Sequence, residues 1–444
     1  MPRRRTIALA VALFVVAAGV IAVGSLPGLG GFPAATLESS APAESAAGAP
    51  APVTTEAPPA PEPSAAALRP SSRLIPSSLD RAGIRDRLQA AVDRGRAELA
   101  APGVVASVLF ADGRQWTGTS GVADLSTNRP LGPDTPFAVA SISKTFLAAE
   151  ILALVREARL GLDDAVAGFL PDVSVGGLAI DRRITIRQLL DHTSGLRDYL
   201  ISRQLDVAVR AEPSTAWTAE MALAYAGKAV AEPGVGYHYA NTNYVLLGLI
   251  AERLAGRSLA AEYRARFFEP LALKSASYQG VEPPAELLPT AYRYASSALD
   301  ATPIDVTDGT DIRPYTAITT AAGAAGSVAA SARDLARWAR ALYAGFVLPE
   351  ADIETMVGDA AHTETLEPGY PYGLGVQVFM IDGHLSYGHS GRLVGARSVV
   401  RWFAGERIAI AVVTNQSRFD PTSIVRDLLA IVAPETHRQG PTAG

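Results

Sequence analysis

The chain contains no cysteine, and that absence removes disulfides, thiolate nucleophiles, cysteine-based zinc sites and lipid attachment through an N-terminal cysteine. Lysine is nearly missing as well. Of 39 basic residues only Lys144, Lys228 and Lys274 are not arginine. No Lys/Arg block occurs beyond the N-terminus and the formal net charge is −5, so nothing calls for a nucleic-acid partner. No serine lies in G-x-S-x-G, none of the six histidines lies in H-E-x-x-H, and there is no P-loop. No segment repeats at a solenoid-like period. No metal or organic cofactor is expected.

What is present begins with an export pattern. Arg3, Arg4 and Arg5 precede the uncharged run TIALAVALFVVAAGVIAVG at 6–24, a positive region before an apolar one. The 19-residue run is just long enough to span a bilayer, and Ala22-Val23-Gly24 offers a small-x-small cleavage site. Residues 1–32 therefore read as a signal peptide or an uncleaved membrane anchor. Either one puts the rest of the chain outside the cytoplasmic membrane, secreted or tethered to its outer face. Residues 33–72 are Ala, Pro, Ser, Thr and Glu with almost nothing large and apolar. Such a segment cannot offset its ordering entropy and reads as an extended spacer.

Globular composition runs over 73–436, with 437–444 a tail. Ile84, Leu88, Val92 and Leu99 have helical spacing, expected behind a serine cap. GVVASVLFADGRQWTGTSGVAD reads as two strands joined at Asp112-Gly113. The middle is mostly helical, with Ser331 and Asp334 spaced like a capping box. Four strand-like segments follow Tyr372, and TSIVRDLLAIVA closes as a helix. This pattern predicts an α+β fold: one antiparallel sheet assembled from both ends (about 77–145 and 325–435), flanked by helices, with a mainly helical insertion at about 146–324.

The scarcity of lysine draws attention to SISKTFLAAEILALVREARL. Ser141 stands at the start of this apolar helix and Lys144 one turn later, on the same face. Serine is a poor nucleophile until a base takes its proton. Burial lowers a lysine pKa, whereas arginine keeps its proton in a protein. A chain that favours arginine yet places lysine here suggests an amine that must sometimes be neutral; the bland alternative is a lysine snorkelling from a core helix. Two further segments carry candidate polar groups. In GYHYANTNY, Tyr239 can shuttle a proton and Asn241 can bind an amide, or else Asn241 or Thr242 simply caps a helix. In SYGHSGR, His389-Ser390-Gly391 follow Gly388, and glycine inside a strand often marks close approach of a ligand.

These three segments, in this order, resemble the serine β-lactamase-related family, which includes class C β-lactamases, low-molecular-weight penicillin-binding DD-peptidases and related esterases. The likeness extends over about residues 78–433, for example in ITIRQLLDHTSGLRDY and AAGAAGSVAASARDLARWARAL. It implies the β-lactamase/transpeptidase-like fold, with Ser141 as acylated nucleophile, Lys144 as its activating partner and Tyr239 as proton carrier to the leaving group. Asn241 and His389-Ser390-Gly391 would bind substrate, and the backbone N–H groups of Ser141 and Arg392 would form the oxyanion hole. The family often writes Lys-Thr-Gly where this chain writes His-Ser-Gly. A histidine there is expected to change charge between pH 5 and 8, holding a substrate carboxylate more weakly at alkaline pH. HTSG at 192–195 reads as a structural loop. The implied activity is an exported acyl-enzyme hydrolase of the D-alanyl-D-alanine carboxypeptidase type. Its partners would be a small peptide, β-lactam or ester and the cell-wall peptidoglycan, with the membrane met only through the N-terminal segment. A β-lactamase or esterase of the same fold, or a non-catalytic binder of wall peptide or antibiotic, is the alternative.

Overall fold

The computed structural model describes residues 83–433 except 297. The export segment, the spacer and the tail lie outside the described residues. Helix α1 (Ile84–Glu98) does not start behind a serine. Gly83 occupies the cap with φ 70°, a left-handed conformation open to glycine, and offers no side chain to the free amides. Ile84, Leu88 and Val92 are buried as their spacing predicts.

Strands β1 (Gly103–Leu109) and β2 (Gln115–Asp124) form the expected hairpin, with Gly113 at φ 87° in the turn. A two-residue strand β3 (Arg129–Pro130) extends that edge. The helical region includes α2 (Ser143–Arg156), α3 (Ile186–Leu190) and α4 (Asn241–Ala255), and beyond it come α5 (Ala332–Tyr343), α6 (Glu350–Gly358) and α7 (Ala360–Leu366). The chain then returns to strands β4 (Gln377–Ile381), β5 (His384–Leu393), β6 (Ala396–Phe403) and β7 (Ile408–Thr414), followed by helix α8 (Thr422–Val432). The sheet is antiparallel in the order β4-β5-β6-β7-β1-β2-β3, so the two ends of the domain meet at the β7–β1 pair.

Every residue of β1 and β7 is buried, because helices cover both faces. Helices α1 and α8 pack with Val104, Ala106, Ile410 and Val412 on one face. Helix α5 and the helical region pack with Val105, Val400, Trp402 and Ala411 on the other. Ser331 caps α5 through Asp334 N, but the reciprocal half of the box is absent: the Asp334 carboxylate is turned to the Ser275 amide and hydroxyl at 2.8 and 2.6 Å.

Two features place the site. Helix α2 is buried on nearly all sides, with Phe146 stacked on Trp338 at 4.0 Å between ring centres. Truncating such a ring costs about 3–5 kcal/mol, so this helix is a fixed platform. Strand β5 outlasts its neighbour: β4 pairs only with 384–388, leaving 389–393 as an edge against the turn that precedes α2.

Candidate active site

Ser141 lies in a single 3₁₀ turn, Ala140–Ile142, ahead of α2. That turn is clamped. Val139 N donates to the Val328 carbonyl, the Val139 carbonyl accepts from Ser398 Oγ at 2.7 Å, and Ser143 Oγ accepts from Val328 N. Ala140 holds φ 49°, an unusual left-handed setting for a residue with a Cβ, immediately before Ser141. Such strain persists only where surrounding contacts over-determine it.

Lys144 is fully buried, whereas Lys228 and Lys274 are exposed. Its Nζ contacts Ser141 Oγ at 3.0 Å, Asn241 Oδ1 at 2.7 Å and the Ala325 carbonyl at 2.9 Å. The amine therefore faces inward and does not snorkel. Burial lowers its pKa to about 7 against the opposing pull of Asp198. Of the three partners, the Asn241 and Ala325 oxygens can only accept. A neutral amine has two N–H groups and one lone pair. The two N–H groups are fixed on those oxygens, and the lone pair is left for the one partner that can donate, the Ser141 hydroxyl.

Tyr239 donates to Ser141 Oγ from the other side at 3.0 Å. Burial, eased by the Ser141 bond, pushes its phenol pKa well above the usual value, so it is a proton donor at neutral pH. Neither Asn241 nor Thr242 caps α4: Ala240 is the cap residue and has no polar side chain to offer, and the first free amide, Asn241 N, donates to Asp198 Oδ1 at 3.2 Å instead. Asn241 instead spans Lys144 and Asp198, donating Nδ2 to Asp198 Oδ2 at 3.0 Å. That bond fixes the amide so that its oxygen faces the lysine.

His389 is buried, and its charge expectation is overturned. Nδ1 faces the Ser390 carbonyl at 2.6 Å and so carries the ring hydrogen; Nε2 then accepts from Tyr372 OH at 2.9 Å. Burial, with Lys144 adding to it, drops the pKa to about 3, so the ring is neutral from pH 5 to 8. Nor does Gly388 mark a ligand. A Cβ there would lie 2.0 Å from the Val400 carbonyl, so the close approach is by the neighbouring strand. Gly391 admits the Val139 carbonyl in the same way, at 2.1 Å from an added Cβ. This is what lets β5 lie against the Ser141 turn. Ser390 N donates to Gln377 Oε1 on the β4 side at 3.0 Å. Amides two apart in a strand point to the same edge, so Arg392 N points there too, past the end of β4.

The structure thus brings Ser141, Lys144, Tyr239 and Asn241 into one bonded set, with the 389–392 edge beside it. Several contributors escaped sequence reasoning. Asp198 braces Asn241. Gln377 holds Ser390 and is itself held by Arg401, buried in β6, at 2.7 Å. Arg401 had a readable signal, a charge inside the apolar run SVVRWF. The 192–195 loop is structural, as read: His192 Nδ1 accepts from Ala240 N at 3.2 Å, and its ring centre is 4.2 Å from that of Tyr239.

Comparison with known proteins agrees with this geometry. The β-lactamase family pattern matches residues 88–433. Penicillin-binding protein 4 of Amycolatopsis lactamdurans is 30% identical over 77% of this chain and 88% of its own. A D-aminopeptidase of Brucella anthropi is 29% identical over 66% of this chain, which spans about half of that protein (52%). A D-stereospecific amidohydrolase from a Streptomyces species superimposes with a TM-score of 0.66 at 29% identity, covering 80% of this chain and 99% of its own. A nucleophile set of this geometry inside a match of that extent identifies the chain as a member of the β-lactamase family and a serine hydrolase.

Proposed function

We propose that the protein is an exported hydrolase of D-alanyl peptides that works through an acyl-enzyme on Ser141. The observation that carries the reading is the setting of Lys144. Its two N–H groups are taken by fixed acceptors and its lone pair is aimed at the nucleophile. Lys144 accepts the Ser141 proton as Oγ bonds to the substrate carbonyl carbon. The oxyanion forms against the N–H groups of Ser141 and Arg392, where preorganised donors are worth about 3–4 kcal/mol. Collapse breaks the bond to the leaving group, which takes the Tyr239 proton, and Tyr239 regains one from Lys144. Water then repeats the sequence on the ester and frees Ser141. Asn241 holds the substrate amide and Ser390 the peptide edge. A neutral His389 supplies no positive charge, so a terminal substrate carboxylate would meet the exposed Arg392 guanidinium instead.

The residues 1–32 export pattern and the spacer at 33–72 support placing this domain outside the membrane, where the wall peptide lies; β-lactams would acylate the same serine. That neutral histidine favours a second reading, an amidase or esterase whose leaving group is uncharged. A panel of a D-Ala-D-Ala peptide, a D-amino-acid amide, nitrocefin and a short-chain ester, run with fluorescent-penicillin labelling, separates them. Fastest turnover of the D-Ala-D-Ala peptide with a long-lived penicillin adduct is expected; turnover confined to amides and esters without an adduct refutes the first reading. Ser141→Ala should abolish both signals, and residual labelling in that variant would place the nucleophile elsewhere.

A further inference from the structure

Lys228 is one of three lysines in a chain that otherwise writes its positive charge as arginine, and acylation of Ser141 gives it no task. It lines a groove of about 830 Å³ together with Arg197, Asp198 and Arg203. All three cationic side chains are exposed, and among the described residues none is paired with a carboxylate. The acids closest in sequence are committed elsewhere. Asp206 pairs with Arg210 at 2.7 Å, and Glu232 with Arg183 at 2.7 Å. Asp198 gives Oδ1 to the N–H groups of Leu200 and Asn241 and Oδ2 to Asn241 Nδ2. The groove therefore holds three positive charges against the single charge of Asp198, with exposed Ile201 and Val207 beside them. In a chain of net charge −5 this excess is local, and it suits an aliphatic group that ends in a carboxylate.

The groove is fixed to the acylation site. Thr242 Oγ1, at the start of α4, donates to the Arg197 carbonyl at 2.6 Å and accepts from Tyr199 N at 3.2 Å. Arg197 Nε in turn donates to the Lys228 carbonyl at 3.4 Å, which joins the two walls. Asp198, between Arg197 and Tyr199, is the brace of Asn241. Chain lying upstream of an amide held at Asn241 thus meets this groove next, and each extended residue advances about 3.3 Å. We propose that the groove is a subsite for an acidic acyl chain, receiving a side-chain carboxylate on the residue that precedes the D-alanine acylated onto Ser141. The flexible Lys228 ammonium can follow a mobile carboxylate, and the two guanidiniums can fork onto it.

The inference rests on the role proposed for Asn241 and adds to it the chemistry of the acyl chain, whichever leaving group follows. Two matched pairs test it on the whole protein. They are peptides with glutamate or glutamine directly before D-alanine, each made with D-alanine or with ammonia as leaving group. At low salt the glutamate member of each pair should have a kcat/KM about tenfold higher, through KM, on the scale of a few exposed charge pairs. Added salt should erode that preference. Lys228→Glu should abolish it, and Arg203→Glu combined with Lys228→Glu should invert it. Arg85→Glu makes the same charge change on α1, at the opposite face of the sheet, and should leave the ratio at the parent's value.

Where turnover is too slow to follow, competition of the same peptides with fluorescent-penicillin labelling gives the ratio. Equal handling of glutamate and glutamine in both pairs overturns the subsite. So does an equal fall with Arg85→Glu and Lys228→Glu, which would assign the preference to net charge and not to the groove. D-Ala-D-Ala peptides left uncleaved, beside amides that show the preference, support the subsite and refute only the leaving group of the first reading.

Discussion

Helix α2 carries two buried ionisable groups six positions apart, Lys144 and Glu150, and both are driven to a pKa of about 7, the amine downward and the acid upward, chiefly by burial. Only one has the means to do chemistry. Glu150 faces Arg266 at 3.3 Å within a closed network in which Arg266 also pairs Glu157 and Glu262. Among the described residues Lys144 has no ion-pair partner; its neighbours are two fixed oxygens and the hydroxyl of the half-buried Ser141. A perturbed pKa therefore marks desolvation. What marks a site is the identity of the third partner and its access to solvent.

The sharpest way to break that contrast is Lys144→Arg. Arginine preserves charge and donors but cannot become a base, and its planar fork does not match the three-way setting of Nζ. Acylation should fall by about 10³-fold or more, on the scale of losing a unit of a nucleophile–base set. Stopped-flow penicillin labelling reads it, and acylation within about tenfold of the parent would remove Lys144 from the base role.

The next effect is the acid limb. Lys144 acts as a base only when neutral, so acylation should rise as pH climbs through about 7. Asp198 holds the proton on Lys144 by its charge. Asp198→Asn can keep an oxygen for the backbone N–H groups of Asn241 and Leu200 but gives up the charge and the acceptor for Asn241 Nδ2. The lysine pKa should therefore drop and the limb should move to lower pH, with a lower plateau because Asn241 loses its brace. A limb that stays put, or moves up, would assign it to another group.

Much of this was legible in the chain because it lies in local pattern. The Asp112-Gly113 turn, the spacing of Ile84, Leu88 and Val92, and the buried Ser141–Lys144 helix all follow from short-range periodicity. The failures share a cause, which is that they depend on contacts distant in sequence. His389 was expected to titrate because the sequence does not reveal that Tyr372 and the Ser390 carbonyl enclose it. Gly388 reads as a ligand mark until Val400 on the next strand is seen filling the space. Asp198, Gln377 and Arg401 act through partners 43, 13 and 24 positions away. The missing serine cap on α1 is a boundary error of a few residues, of the kind that capping signals commonly produce.

The smallest expected effect tests the other half of the comparison. If Glu150 is purely structural, Glu150→Gln should leave acylation within about twofold of the parent. Stability should separate the two proteins. A carboxyl raised from 4.5 to about 7 binds more protons folded than unfolded in that window, so its contribution declines as pH rises through it and is level above. Glutamine has no such slope. The melting-temperature difference, variant minus parent, should therefore grow in the variant's favour from about pH 4.5 to pH 7 and then stay flat. A difference independent of pH would mean that Arg266 keeps Glu150 ionised throughout, and the symmetry between the two groups on α2 would be lost.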